Sequence, residues 1–296
     1  MVAMLSQVAL SGCGTAASSP TGSSKAIEVV AAENVWGSIA AQLGGDRVHV
    51  VNLIDSPDAD PHDYEATVSD ARAVALADLV LVNGVGYDAW ASQLAAASPN
   101  RARVDLNVGD VAGVANGANP HRWYNPGDVQ KVVESLAADY KALDPAASSY
   151  FDHRKTAFET TATARYHAVL ADIRAKYAGT PVGASESIFS MLAPATGLDL
   201  VTPPDFLKAI SEGNEPTAAD KGTVDTQITR REIKVYVYNA QNATPDVQAQ
   251  LAAAKTHGIP VTAITETMTP ATASWEQWQT AQLVALRSAL AKATEQ

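Results

Sequence analysis

Two short segments carry the residues best suited to chemistry: Asp60-Pro61-His62-Asp63-Tyr64 and Asn119-Pro120-His121-Arg122-Trp123-Tyr124. Each sets a histidine directly behind a proline and just ahead of an aromatic residue, in a chain with six histidines. The residue before a proline is pushed out of the helical region, so both histidines are expected on extended or turning backbone rather than on a helix face. A lone Pro-His is most simply a surface or capping histidine. Two in the same setting are a pair of imidazoles that loops can bring together on a metal ion.

Two carboxylates are the expected partners. Glu186 follows Ala184-Ser185 and Glu266 follows Ile264-Thr265, each just past a predicted strand, where open parallel sheets bind their ligands. Two imidazoles and two carboxylates suit a first-row divalent ion, and ligand type alone leaves Mn, Zn and Fe open. Four positions so far apart in sequence carry no local geometric signature. Taken alone, either glutamate is more simply a solvated loop residue or a helix cap. Asp60, Asp63 and Glu65 could orient His62 through its second ring nitrogen, and Trp123 is close enough in sequence to His121 to wall the site. Glu33, Asn34, Asn239 and Gln241 also follow strands, where satisfying loop backbone is their simplest role. His49, His153, His167 and His257 fall on a strand, on helices or at a helix end, with no pattern that suggests a ligand.

The elements that must position these residues alternate. Short β-rich runs at 27–32, 48–54, 79–83 and 103–106 are separated by helical apolar spacing at 35–43, 68–77 and 87–97. Asn125-Pro126 and Asp144-Pro145 open helices, each with a capping side chain followed by proline at the first helical position. The second of these is predicted to run unbroken over 146–177, with sparse apolar positions (Phe151, Phe158, Ala162, Tyr166, Val169, Leu170, Ile173), as a rigid strut between two bodies. Strands at 181–184, 235–239 and 260–264 then alternate with helices at 188–196 and 245–257, and a last amphipathic helix covers 274–293. The predicted fold is α/β: two lobes, each a mainly parallel sheet flanked by helices, joined by one long rigid helix. The expected division is 26–144 for the first lobe, 145–178 for the linking helix and 179–296 for the second lobe.

Bulk properties narrow the function. A formal charge of −11 and a pI near 4.9 exclude the clustered Lys and Arg that nucleic acid needs. The single cysteine, Cys13, excludes a disulfide framework, a thiolate zinc site and a cysteine nucleophile in the folded body. The run Leu10-Ser11-Gly12-Cys13, after an apolar stretch and before the polar 14–24, resembles a bacterial lipobox. That resemblance implies a signal peptide over 1–12, shortened at its start and so lacking the usual Lys or Arg, and a flexible linker over 13–25 with lipid on Cys13.

The body after the linker resembles the metal-binding lipoproteins of bacterial ABC importers for zinc and manganese. Asp60-Pro61-His62-Asp63-Tyr64-Glu65 is similar to that family's first ligand motif, and Asn119-Pro120-His121-Arg122-Trp123-Tyr124 to its second. Ala184-Ser185-Glu186-Ser187-Ile188-Phe189 occupies the place of the third, which is His in many zinc members and Glu in the manganese-type branch. The run 259–266 matches the last strand, whose terminal carboxylate, usually Asp, is here Glu266. The resemblance implies a monomeric, non-enzymatic, lipid-anchored extracytoplasmic protein that binds one divalent metal, Mn or Zn with Fe possible, at His62, His121, Glu186 and Glu266, and delivers it to a membrane-embedded ABC permease. The histidine-free stretch 109–120 and the Glu at the third position favour Mn, since carboxylate suits Mn and imidazole suits Zn. The rival readings are a metal-dependent hydrolase using the same ligands and a haem- or siderophore-type binding protein of the same architecture.

Overall fold

The computed structural model describes residues 25–56, 64–242 and 244–294. The first lobe begins with β1 (Ile27–Glu33), α1 (Asn34–Gly44), β2 (Val48–Ile54), α2 (Val68–Leu76), β3 (Leu79–Val82), α3 (Ala89–Ala97), β4 (Val104–Asn107) and α4 (Val108–Ala112). Its four strands are all parallel in the order β2-β1-β3-β4. A parallel sheet is covered on both faces, and the period-2 alternation of β1 and β3 meets that demand. Ile27, Val29, Ala31, Leu79 and Leu81 face α1 and the main core, while Val30, Ala32, Val80 and Val82 join Val74 and Ala91 in a second apolar cluster under α2 and α3.

The second lobe repeats the plan with β5 (Pro181–Ala184), α8 (Ile188–Thr196), β6 (Asp199–Leu200), α9 (Pro204–Ser211), α10 (Ala218–Thr229), β7 (Val235–Asn239), α11 (Pro245–Thr256) and β8 (Val261–Ile264), closed by α12 (Trp275–Thr294). Its order is β6-β5-β7-β8, again all parallel. Both sheets therefore reverse their winding beside their first strand, between β1 and β3 and between β5 and β7. In open α/β sheets that reversal leaves a crevice at the carboxyl ends of the strands, where ligands bind.

Between the lobes lie α5 (Pro126–Leu143), α6 (Ser148–Ala157) and α7 (Ala164–Tyr177). Asn125 caps α5 by accepting from the Gly127 and Asp128 amides, with Pro126 at the first helical position. The expected unbroken helix is helical almost throughout, but a π-turn at Phe158–Ala162 separates α6 from α7. Thr163 closes it, its amide reaching back to the Phe158 carbonyl and its hydroxyl donating to the Phe158 and Glu159 carbonyls. The turn lets Phe158 and Tyr166 both pack on Trp275 of α12. One apolar core then runs through both lobes, from Trp36 through Trp123 and Trp275 to Leu290.

Two buried polar groups matter to the first lobe. Arg103, its side chain 1% exposed, donates to the carbonyls of Val74, Ala95 and Ser98 at the ends of α2 and α3, and to Asp105. It satisfies acceptors that a helix C-terminus leaves open. Replacing it with Met should cost about 2–4 kcal/mol, because several buried carbonyls lose their donor together. Urea unfolding of Arg103→Met checks this, and a loss below about 1 kcal/mol would show that water replaces the guanidinium at no cost.

Glu33 ends β1, is 3% exposed, and neither of its oxygens meets a donor among the described residues. Burial, and then the neighbouring Asp88 carboxylate, hold its carboxyl well above the usual range; protonated, it is itself a donor to Asp88. A raised folded value means that the native state holds a proton the unfolded chain releases near pH 4.5. The stability linked to that proton is complete below that pH and is lost as pH rises toward the folded value, at no more than about 1.4 kcal/mol per pH unit. The stability difference between Glu33→Gln and the parent should therefore grow in favour of the variant from pH 5 to pH 8 in urea titrations. A difference that stays constant would refute the assignment.

Candidate metal centre

His121 lies on the turn before α5, with φ −72° and ψ 52°, off the helical region as its proline neighbour dictates. The loop is pinned from below. Asn83, directly after β3, accepts from the Trp36 indole N–H at 3.0 Å and donates to the Pro120 carbonyl at 3.0 Å. Trp123 stands edge-on to the imidazole, centroids 5.4 Å apart, and edge-on to Trp36 at 6.4 Å. The His121 side chain is 1% exposed. Its Nδ1 is 2.9 Å from the Asn119 Oδ1, and its Nε2 points across to the second lobe, 3.3 Å from the Glu266 Oε1.

Glu266 follows β8 and is held by its backbone as well as its carboxylate. Gln241 Oε1 accepts from the amides of Glu266 and Thr267, at 2.7 and 2.9 Å, while Gln241 Nε2 donates to the Thr267 hydroxyl. Tyr87 of the first lobe donates its hydroxyl to Glu266 Oε1 at 3.0 Å. The loop that delivers Tyr87 has three consecutive residues of positive φ: Gly84 at 68°, Val85 at 59° and Gly86 at 89°. For a β-branched residue such as Val85 this is a strained conformation. Asp88 clamps it, accepting from the Asn83 and Gly84 amides.

Glu186 follows β5 at the winding reversal of the second sheet and is 2% exposed. Asn239, after β7, donates to one oxygen at 2.6 Å and Asn242 to the other at 2.9 Å. Burial, and then the charge of Glu266, push its carboxyl up to about 8, against the lowering effect of the two amides. The two glutamates thus sense one another, and both also bear on the buried Tyr124 hydroxyl, whose ionisation is suppressed chiefly by burial. A divalent cation between them would relieve burial and repulsion together.

His121 and Glu266 meet directly, whereas Glu186 is bonded to Asn239 and Asn242. Among the described residues no three His, Cys, Asp or Glu side chains form one tight ligand group. The predicted ligand His62, its neighbour Asp63 and the lipidation position Cys13 lie outside the described residues. Of the other histidines, His49 pairs with Glu28 at 2.9 Å on the surface, and His167 sits beside Tyr166 on α7. Asn239 and Gln241 do more than the loop satisfaction expected of them. Tyr87, Asn119 and Asn242 escape sequence reasoning, although Asn119 belongs to the same short segment as His121. A cavity of about 470 Å³ between the lobes is lined by Tyr87, Asn119 and Ser187, with Leu200 and Leu207 on its apolar side.

Among solved structures, the Cd-bound periplasmic metal-binding protein of Candidatus Liberibacter asiaticus superposes with a TM-score of 0.73 at 17% identity, over 90% of this chain and 100% of that one. The protein FpvC of Pseudomonas aeruginosa in complex with Mn2+ gives 0.72 at 21% identity, over 90% and 98%. At these identities the likeness establishes the fold. The manganese-binding lipoprotein MntA of Halalkalibacterium halodurans is 25% identical over 51% of each chain. The high-affinity zinc uptake system protein ZnuA of Bacillus subtilis is 23% identical over 83% of this chain and 82% of its own. The chain spans about half the length of most of the curated relatives it matches. The match that covers most of the body is to a family: over residues 29–289 the chain belongs to ZnuA, the zinc-uptake complex component A, periplasmic.

Proposed function

We propose that this chain is an extracytoplasmic substrate-binding protein that captures one divalent transition metal, Mn or Zn, between its lobes and delivers it to an ABC permease. The carrying observation is the meeting of His121 from the first lobe with Glu266 from the second at 3.3 Å, beside a second buried carboxylate that Glu266 raises. A cation is the ligand that such a set of acceptors lacks. His121, Glu186 and Glu266 would hold it together with His62, and two carboxylates in the set favour Mn, while the Irving-Williams order still makes Zn bind tightly in vitro. The family membership and the printed names of the relatives, manganese-binding, zinc-uptake and metal-transporter lipoproteins, support the same reading. So does Cys13 as a lipid anchor for a monomer working at the membrane surface.

A hydrolase reading finds less support. The groups around Glu186 and Glu266 are the amides and phenol that fix them, rather than a free base beside an open metal position.

Elemental analysis of protein purified from its host envelope should find about one equivalent of Mn or Zn. His62→Ala, His121→Ala, Glu186→Ala and Glu266→Ala should each weaken metal binding by more than about 100-fold in calorimetry, beyond the effect typical of groups that only orient a ligand. Wild-type metal content in the His121 variant would sink this reading. Unchanged affinity in the Glu266 variant alone would remove that residue from the ligand set.

A further inference from the structure

Asn119 touches both lobes through the two ends of one amide. Its Oδ1 accepts from the His121 backbone amide at 3.0 Å and lies 2.9 Å from the His121 Nδ1. Its Nδ2 donates into the second lobe, to the Ser187 carbonyl at 2.7 Å and the Ser190 hydroxyl at 3.1 Å, at the start of α8. The direction of this amide is fixed by backbone on both sides. The His121 N–H can only donate and the Ser187 carbonyl can only accept, so exchanging oxygen for nitrogen would set donor against donor and acceptor against acceptor.

That orientation decides which ring nitrogen of His121 carries the proton. An amide oxygen offers no hydrogen, so Nδ1 facing it must be the N–H of the neutral imidazole. The other neighbour of Nδ1, Ser187 Oγ at 3.5 Å, directs its own hydrogen to Ser211 and is likewise an acceptor there. Nε2, which points at Glu266, is left with its lone pair free.

We propose that Asn119 is a positioning residue that couples the tautomer of His121 to the contact between the lobes. The amide can hold Nδ1–H only while its other end is seated on Ser187 and Ser190, so docking the lobes and presenting Nε2 as a ligand are one event. The link to metal uptake rests on the function proposed above; the link between amide, tautomer and lobe contact does not.

The test uses the full chain without metal, at a pH where the imidazole is neutral, followed by metal titration. Two-bond nitrogen–proton spectra of the histidine rings should show His121 as the Nδ1–H tautomer. Asn119→Ala, which removes both ends, should shift it toward Nε2–H. Asn119→Asp keeps the acceptor and loses the donors, so it should keep Nδ1–H yet raise amide hydrogen exchange over 187–191 by about tenfold or more. Both variants should bind Mn and Zn about 10–100-fold more weakly, the effect typical of groups that orient a ligating histidine. Retention of Nδ1–H in the alanine variant overturns the proposal, as does parent-like exchange in the aspartate variant. If the alanine variant fails to fold, the near-isosteric aspartate variant still decides through its exchange rates. If the parent takes up neither metal, the proposed function falls while the metal-free spectra still judge this coupling.

Discussion

Glu186 and Glu266 are like charges facing the same small space, one of them almost wholly buried, and the arrangement of the rest follows from keeping them there. Carboxylates withdrawn from water normally take an arginine or lysine as partner. The bonds to Glu186 come instead from the neutral amides of Asn239 and Asn242. Amides orient a carboxylate without cancelling its charge, so the demand for a cation is preserved. The same economy recurs at Glu266, where Gln241 holds the backbone and Tyr87 offers a neutral hydroxyl. An arginine at position 242 would make the site calmer and useless.

The scaffold supplies these groups by repetition. Each sheet reverses its winding beside its first strand, and each reversal puts an asparagine after the third strand of its lobe, Asn83 in one and Asn239 in the other. Asn83 fixes the loop that carries His121, while Asn239 fixes Glu186 itself. Equivalent places in the two lobes thus serve one site from opposite sides. The aromatic chain of Trp36, Trp123 and Trp275, with the Trp275 indole donating to the Trp123 carbonyl, makes the floor between them continuous.

Much of this is legible in the sequence, for physical reasons that also mark where reading stops. Seven of the eight strands are apolar or alternating runs with turn residues at their ends; the two-residue β6 is too short to show a pattern. The strand ends lead to Glu186 and Glu266, and proline places His121 on a turn. The short α4 and the helices α9 and α10 were not among the predicted elements. Partners such as Tyr87 and Asn242 are invisible because their hydrogen bonds join residues 53 or more positions apart in the cases that matter: Tyr87 to Glu266, Asn242 to Glu186. The π-turn is hidden for a different reason, since Phe158 and Tyr166 remain apolar in either helical register.

That turn has a mechanical consequence. One surplus residue in a helix rotates everything after it by about 100° relative to everything before. With the surplus at Phe158–Ala162, α6 and α7 are phased separately, each free to present its own stripe to its own neighbours. The linking segment therefore transmits length and direction from lobe to lobe while insulating one lobe's packing from the angular demands of the other.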